Sequence, residues 1–408
     1  MGTPYTVVKV ERYPAFKEGK IVSWNVDSAE FTAINSKKYM WISKEEGVLI
    51  NEFLKKSYPL LKIGNHVINF VRLFEDIPWP YISIAWDLER YIEWLKRELP
   101  KNLKVVLNFS GGKDSIAAAK VLSEVADEVV LIYSHVSYLE TPKNIDFVEK
   151  AANKLGLKVI ILEADKEIMR NMLKKGMPFR GNRWCTFMKV RPIKKVLKEL
   201  SNYVRADGER MTEALKRFKR LGLSSKRPRP FDGGRVRPIY PMTLIDVVKI
   251  VRDLGLVHED YLKGLPRVAC TFCPYKSLRE FDGSEWREIE DPGLIEEAIR
   301  ASYKRFEYDI PWEDFIERHL WRFSPKLANV IYKMQEILRR REDLERTTSD
   351  YVNELYKSLW TEDIPRPKVV SVEEGYERIM KVLRATLERA THEFELANSM
   401  ENSMGPNL

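Results

Sequence analysis

Apolar and polar positions fall into three regimes along the chain. From about residue 5 to residue 82, short β-prone pieces, "YTVVKV", "FTAIN", "KYMWIS" and "NHVINFVRLF", are separated by Gly, Asn and Ser. That pattern predicts brief strands in a small α+β or β-rich accessory unit. "WDLERYIEWLKRELPKN" then carries Leu88, Tyr91, Ile92 and Leu95 at helical spacing and stops at Pro100. From Leu103 the pattern alternates between apolar strands, "KVVLNF", "EVVLIYSH" and "LKVIILEA", and amphipathic helices at roughly 114–125 and 141–155. Alternation at this spacing predicts βαβ units, a parallel sheet, and a ligand site at the carboxyl edge of the strands.

Beyond about residue 280 the strand signal ends and helical periodicity takes over. "LANVIYKMQEIL" places Leu327, Val330, Ile331, Met334, Ile337 and Leu338 on one face. "SVEEGYERIMKVLRATLERATHEF" does the same with Tyr376, Ile379, Met380, Leu383, Leu387 and Phe394, and Ser371 with Glu374 forms a capping-box pattern at its start. The expected organisation is an accessory unit at 1–82, an α/β domain at 83–280, a helical domain at 281–397 and a frayed tail at 398–408.

Composition narrows the class. With 408 residues and 44% hydrophobic content the chain can bury a large core, and the length favours two or three domains. No uncharged apolar run of about 18 residues occurs, and "MGTPYTVVKVERYPAFKEGK" lacks the apolar centre of a signal peptide. A cytoplasmic protein with no membrane partner is expected. The 32% charged content and the single glutamine, Gln335, resemble the composition of thermophile proteins. The net charge of +9 suits a polyanionic partner. It is unevenly spread: no acidic residue occurs from Ala214 to Phe231, a stretch that holds Lys216, Arg217, Lys219, Arg220, Lys226, Arg227 and Arg229, with Arg235 and Arg237 just beyond. A solvated surface loop is the ordinary alternative reading of such a run.

The chemistry concentrates in "VVLNFSGGKDSIAAAKVL", Val105 to Leu122, where a strand runs into Ser110-Gly111-Gly112-Lys113-Asp114-Ser115 and then an Ala-rich helix. A Walker A loop is excluded, because Leu107 stands where its first glycine would fall and Asp114 follows the lysine. The dinucleotide fingerprint G-x-G-x-x-G is also absent here. Consecutive glycines before a helix still make an anion nest, since backbone N–H groups turn toward one point at the positive end of the helix dipole. Ser110 and Ser115 add hydroxyls and Lys113 a full charge, while Asp114 either caps the helix or helps hold Mg²⁺ on a pyrophosphate.

Ser-Gly-Gly-x-Asp-Ser after a first strand resembles the PP-loop of the ATP pyrophosphatase (adenine nucleotide alpha hydrolase-like) superfamily, and within it the sequence resembles the phosphoadenosine phosphosulfate (PAPS) reductase family. The family's second strand and Glu-Thr-Pro-like turn are matched by "YSHVSYLETP", with Glu140, Thr141 and Pro142. Its Cys-x-x-x-Lys-x-x-Pro segment is matched by Cys185, Lys189 and Pro192, and its Gly-x-Arg segment, less closely, by "RADGERMTEALKR". The closing part resembles "VRPIYPMTLIDVVKIVRDLGL" and "YLKGLPRVACTFCP", so that the likeness spans roughly residues 103–276.

The resemblance implies a parallel-sheet PP-loop domain that binds ATP, or PAPS or its unphosphorylated relative APS, together with Mg²⁺. It further implies attack at the α-phosphate, pyrophosphate release and an adenylated acceptor, chemistry that depends on electrostatic neutralisation. Lys113, Lys189 and Arg210 are the expected cations, and Asp114, Asp207 and Glu209 the carboxylates that would position a metal or leaving group, with solvated surface carboxylates as the alternative for the last two.

The chain has three cysteines, too few and too scattered for a disulfide framework. Cys270 and Cys273 form C-x-x-C, and the family brings the segment of Cys185 to the same mouth of the sheet. Three thiolates can hold a 4Fe–4S cluster with one iron open, or a zinc completed by His135 or His258. Buried structural thiols, or a Cys270–Cys273 redox pair, are the alternatives. Family members that bind a cluster usually offer another cysteine beside the first, whereas Cys185 is flanked by Trp184 and Thr186. True PAPS reductases also carry a nucleophilic cysteine in a C-terminal tail, and no cysteine follows Cys273 here. Other relatives use ATP and activated sulfur to modify tRNA or DNA, which the basic stretch 214–237 would suit. Three functions are therefore expected in order: an ATP-dependent nucleotidyl or sulfur-transfer enzyme, a sulfonucleotide reductase with a displaced thiol, and a non-catalytic nucleotide- or nucleic-acid-binding module.

Overall fold

The computed structural model describes residues 86–164, 167–213, 215–222, 229–276, 280–281 and 283–325, with shorter stretches at 328–329, 332, 356–362, 371–381 and 383–384, and five strands between residues 32 and 69. Those strands, β1 (Thr32–Ile34), β2 (Tyr39–Ser43), β3 (Val48–Asn51), β4 (Leu60–Ile63) and β5 (His66–Asn69), pair antiparallel in chain order. "FTAIN", "KYMWIS" and "NHVINFVRLF" each supply one of them, whereas "YTVVKV" lies outside the described residues.

Helix α1 (Leu88–Glu98) starts where Asp87 accepts from the Arg90 N–H at 3.1 Å, and it buries Tyr91, Trp94 and Leu95. Pro100 lies two residues beyond it and prevents continuation. There follow β6 (Lys104–Asn108), α2 (Lys113–Val125), β7 (Glu128–His135), α3 (Lys143–Leu155), β8 (Lys158–Glu163), α4 (Ile168–Lys175), α5 (Trp184–Glu199) and β9 (Val204–Ala206). Helix α6 (Leu215–Leu221), the two-residue strands β10 (Phe231–Asp232) and β11 (Arg235–Val236), and helices α7 (Leu244–Asp253) and α8 (Glu259–Leu262) complete the central region. The six strands form one sheet in the order β10-β11-β9-β6-β7-β8, parallel except for the β10–β11 pair. This is the α/β architecture that the alternating pattern predicts.

The apolar runs behave as strands buried on both faces should. Val105, Leu107, Leu131 and Tyr133 point to one side, into a core shared with α1, α2 and α7. Val106, Val130 and Ile132 point to the other and meet Ile193, Val196 and Leu197 of α5. In α2, Ala117, Ala118 and Ala119 are all fully buried, and these small side chains let the helix lie close to its neighbours.

The helical region beyond 280 contains α9 (Pro292–Phe306), α10 (Trp312–Glu317) and helical residues at 356–361 and 372–381. Ser371 accepts from the Glu374 N–H at 3.1 Å, as its cap position predicts. The periodic face of "LANVIYKMQEIL" lies outside the described residues, as do Leu387 and Phe394. Trp360, Tyr376, Ile379 and Leu383 belong to the same apolar core as β6 and α2, which therefore runs continuously across the boundary expected at 280.

Candidate functional site

β6 is the strand at which the connection order reverses, because β7 and β8 lie to one side of it and β9 and β11 to the other. Open α/β sheets bind ligands at such a switch point, outside the carboxyl ends of the strands. The Ser110–Ser115 turn occupies that position, between β6 and α2. Gly111 sits at φ +72°, a conformation that costs a side-chain-bearing residue energy and glycine none.

The turn is folded on itself. The Ser110 N–H donates to Ser115 Oγ at 3.2 Å, the two serine hydroxyls lie 3.2 Å apart, and the Ser115 hydroxyl donates to Gly112 O at 2.8 Å. Gly112 is the N-cap of α2, and no side chain caps the helix there. Asp114 is therefore not a cap. Its carboxylate is paired with Arg210 Nε on one oxygen and with Lys113 Nζ at 3.1 Å on the other. Burial opposes the Asp114 charge, but Arg210 and Lys113 outweigh it and hold the carboxyl well below the usual range. With both oxygens taken by cations, Asp114 does not fit the part of a Mg²⁺ ligand.

Arg210 reaches the turn from the segment after β9. It is 3% exposed, and its Nη1 donates to Thr212 Oγ1 at 2.9 Å. The approach is close, since a Cβ on Gly208 would lie 2.8 Å from Asp114 O and 3.2 Å from Ser115 Cα. Asp207, just before Gly208, is held by Asn108 Nδ2 at 3.2 Å and Arg235 at 2.8 Å. Glu209 pairs with Arg217, with Arg220 at 2.7 Å and with Arg237 at 3.7 Å. These two carboxylates organise arginines and are not solvated bystanders.

Lys189, Cys270 and Cys273 belong to a second cluster. Glu140, 2% exposed, accepts from Lys189 Nζ at 2.6 Å, Tyr133 OH at 2.8 Å and the Cys270 thiol at 3.0 Å, with His135 Nδ1 at 3.4 Å. Burial works against its charge, yet Lys189, His135 and Cys270 keep Glu140 well below the ordinary carboxylate range. Burial and the Glu140 charge push the Cys270 thiol far up, and burial also raises Cys185 against the pull of Arg183. Among the described residues, no three His, Cys, Asp or Glu side chains converge as a metal-holding group. His258 caps α8 through Nδ1, with Nε2 3.2 Å from Asn144 Oδ1, and burial keeps its ring near a pKa of about 4. As placed, the cysteines do not fit a cluster or zinc, because the Cys270 thiol donates its hydrogen bond to a carboxylate and both His258 nitrogens are engaged.

The Glu140–Lys189 pair carries a pH signature. Glu140 is lowered from 4.5, so its contribution to stability is complete above that pH and is lost on acidification through the folded value; Lys189 is raised from 10.5, so its share is complete below that pH and lost in alkali. In thermal melts Glu140→Gln should be less stable than wild type by about 2 kcal/mol at neutral pH, with the gap closing as acid protonates Glu140.

Sequence reasoning missed Tyr261 at the turn and Trp360 behind it. The Tyr261 hydroxyl accepts from the Lys113 N–H at 2.8 Å, and its ring stacks on Trp360 at 4.4 Å. Tyr261 lies in the "YLKGLP" segment, but only the tertiary fold shows its partner.

Residues 104–276 match the sequence pattern of the phosphoadenosine phosphosulfate reductase domain. An uncharacterized protein of Methanocaldococcus jannaschii is 27% identical over 325 residues, covering 78% of this chain and 74% of that protein. Among solved structures, the NH3-dependent NAD synthetase of Campylobacter jejuni aligns with a TM-score of 0.31 at 20% identity, over 55% of this chain and 96% of that one. The PAPS reductase of Candida auris aligns with a TM-score of 0.30 at 16% identity, over 44% and 84%. The sequence match alone carries the assignment: residues 104–276 form a domain of the phosphoadenosine phosphosulfate reductase family.

Proposed function

We propose that the chain is an ATP-using enzyme that transfers the adenylyl group to an acceptor, releases pyrophosphate and serves sulfur incorporation, with tRNA or DNA as the acceptor. One observation carries the reading: the self-bonded Ser110–Ser115 turn sits at the switch point of the sheet, flanked by an ion cluster of Lys113, Asp114 and Arg210. Two cations against one carboxylate leave a net positive charge beside the N-terminus of α2, where the phosphate chain of a nucleotide would rest. Attack by an acceptor atom on the α-phosphorus forms one P–O or P–S bond and breaks the bond to the bridging oxygen, and the electron pair leaves with pyrophosphate. Lys113 and Arg210, fixed relative to each other by Asp114, would neutralise that charge without reorganising.

The acceptor class is supported by the arginines beyond β9. Arg217, Arg220, Arg235 and Arg237 outnumber the three carboxylates they hold, Asp207, Glu209 and Glu213, and Lys219 and Arg229 are exposed nearby in sequence.

Product analysis tests the proposal. With ATP and RNA or DNA the protein should yield pyrophosphate and adenylated acceptor, AMP leaving only when an added sulfur nucleophile displaces it, and Lys113→Met should lower the pyrophosphate yield by about a hundredfold. Sulfite from PAPS, with no pyrophosphate from ATP, would overturn the proposal in favour of a sulfonucleotide reductase. AMP binding with neither product would indicate a non-catalytic module.

A further inference from the structure

The phosphate turn is braced from behind by a residue outside the loop motif. Tyr261 is 1% exposed, so its hydroxyl approaches the turn from the core and not from the open rim of the sheet. That hydroxyl accepts from the Lys113 N–H at 2.8 Å, and a Cβ on Gly112 would lie 3.5 Å from it. Lys113 Nζ also lies 5.8 Å from the centre of the Tyr261 ring, close to Pro266 O at 3.4 Å. One buried tyrosine thus meets both the amide and the ammonium of the loop lysine.

The tyrosine is itself clamped. Its ring stacks on Trp360 with centroids 4.4 Å apart and planes 20° from parallel, and Trp360 is 6% exposed. Trp360 lies in the helical residues 356–361, which Arg252 of α7 anchors by donating to Leu359 O at 3.2 Å and Glu362 O at 2.6 Å. This chain of contacts begins far outside the family-matched region 104–276 and ends on a backbone amide of the turn.

We infer that Tyr261, clamped by Trp360, is a positioning residue for nucleotide phosphates, acting through the Lys113 amide and side chain. The inference rests on the nucleotide-binding reading of the Ser110–Ser115 turn. Using up the Lys113 N–H from the core side fixes the peptide plane between Gly112 and Lys113, so that the glycine amides keep one orientation before the ligand arrives. Preorganisation of this kind lowers the cost of binding. Loss of the hydroxyl would leave a part-buried amide without this partner and the turn free to relax.

Full-length protein and its variants decide the point by two independent readouts. Tyr261→Phe keeps the ring and its stack while deleting one oxygen. It should raise the ATP KM about tenfold, leave kcat within about twofold, and speed amide hydrogen exchange in the segment 109–116. Trp360→Ala should reproduce both effects, and Trp360→Phe should restore most of them, which separates positioning from a general loss of fold. If wild type uses ATP and Tyr261→Phe matches its KM, or if the variant leaves exchange in 109–116 unchanged, Tyr261 does not position the turn. If wild type shows no ATP binding, the nucleotide-binding reading and with it the phosphate-positioning role are overturned; faster exchange in Tyr261→Phe would then show only that the brace on the turn is real.

Discussion

Arg210→Met should abolish turnover of ATP, lowering kcat/KM by about a hundredfold or more, and should destabilise the fold by about 3 kcal/mol. Arg210 is 3% exposed, and its guanidinium is held by Asp114 and by Thr212, whose own hydroxyl donates to Met242 O at 2.7 Å. Its removal leaves Asp114 balanced by Lys113 alone, so the cluster beside the turn falls from net positive to neutral. Arg210→Lys returns the charge without the two-pronged geometry that spans Asp114 and Thr212, and should recover only part of the activity. Urea melts and steady-state kinetics on the same preparations separate the two losses. Wild-type kinetics in Arg210→Met would remove the cluster from the proposed mechanism.

Gly208→Ala should be nearly as damaging, although it adds a single methyl group. The new carbon would fall 2.8 Å from Asp114 O, 3.1 Å from the Asp114 carbonyl carbon and 3.2 Å from Ser115 Cα. All three neighbours are backbone, so no side-chain rotation relieves the overlap. The start of α2 and the Asp207–Arg210 segment must move apart, which costs about 1–3 kcal/mol and carries Arg210 away from Asp114. Calorimetric titration with ATP should show affinity reduced at least tenfold. Gly293→Ala is the matched control, because a Cβ there meets only Asp291 Oδ1 at 3.4 Å. Equal losses in both variants would place the effect in general destabilisation.

The readable part of this protein is the part governed by short-range rules. Strand and helix periodicity locates β6, α2, β7, α3 and β8 to within two or three residues, since each run is bounded by a glycine, a proline or an abrupt change of polarity. The two glycines of Ser110–Ser115 mark the turn for the same reason. What periodicity cannot supply is the choice of partner for a charge. Lys113, Lys189 and Arg210 read in sequence as cations facing substrate, yet each is engaged by a carboxylate of the protein. Asp207 and Glu209 read as free carboxylates or metal ligands, and each is held by arginines. Apart from the neighbours Lys113 and Asp114, such pairings join residues separated along the chain, and long charged side chains reach several alternatives, so only the folded backbone selects among them. Cys270 shows the same limit: its C-x-x-C spacing points to a metal, whereas its thiol reaches Glu140 across the mouth of the sheet.

The continuity of the apolar core sets a boundary that differs from the one a family comparison draws. Trp86, Tyr91 and Leu95 precede residue 104, and Trp360, Tyr376, Ile379 and Leu383 follow residue 276, yet all are buried with β6 and α2. Trimming the chain to its recognisable middle would strip large aromatic and aliphatic surfaces from both flanks of that core and expose them to water. Evolution within this chain can therefore alter the family-matched middle only in step with its two ends, which are physically part of the same hydrophobic interior.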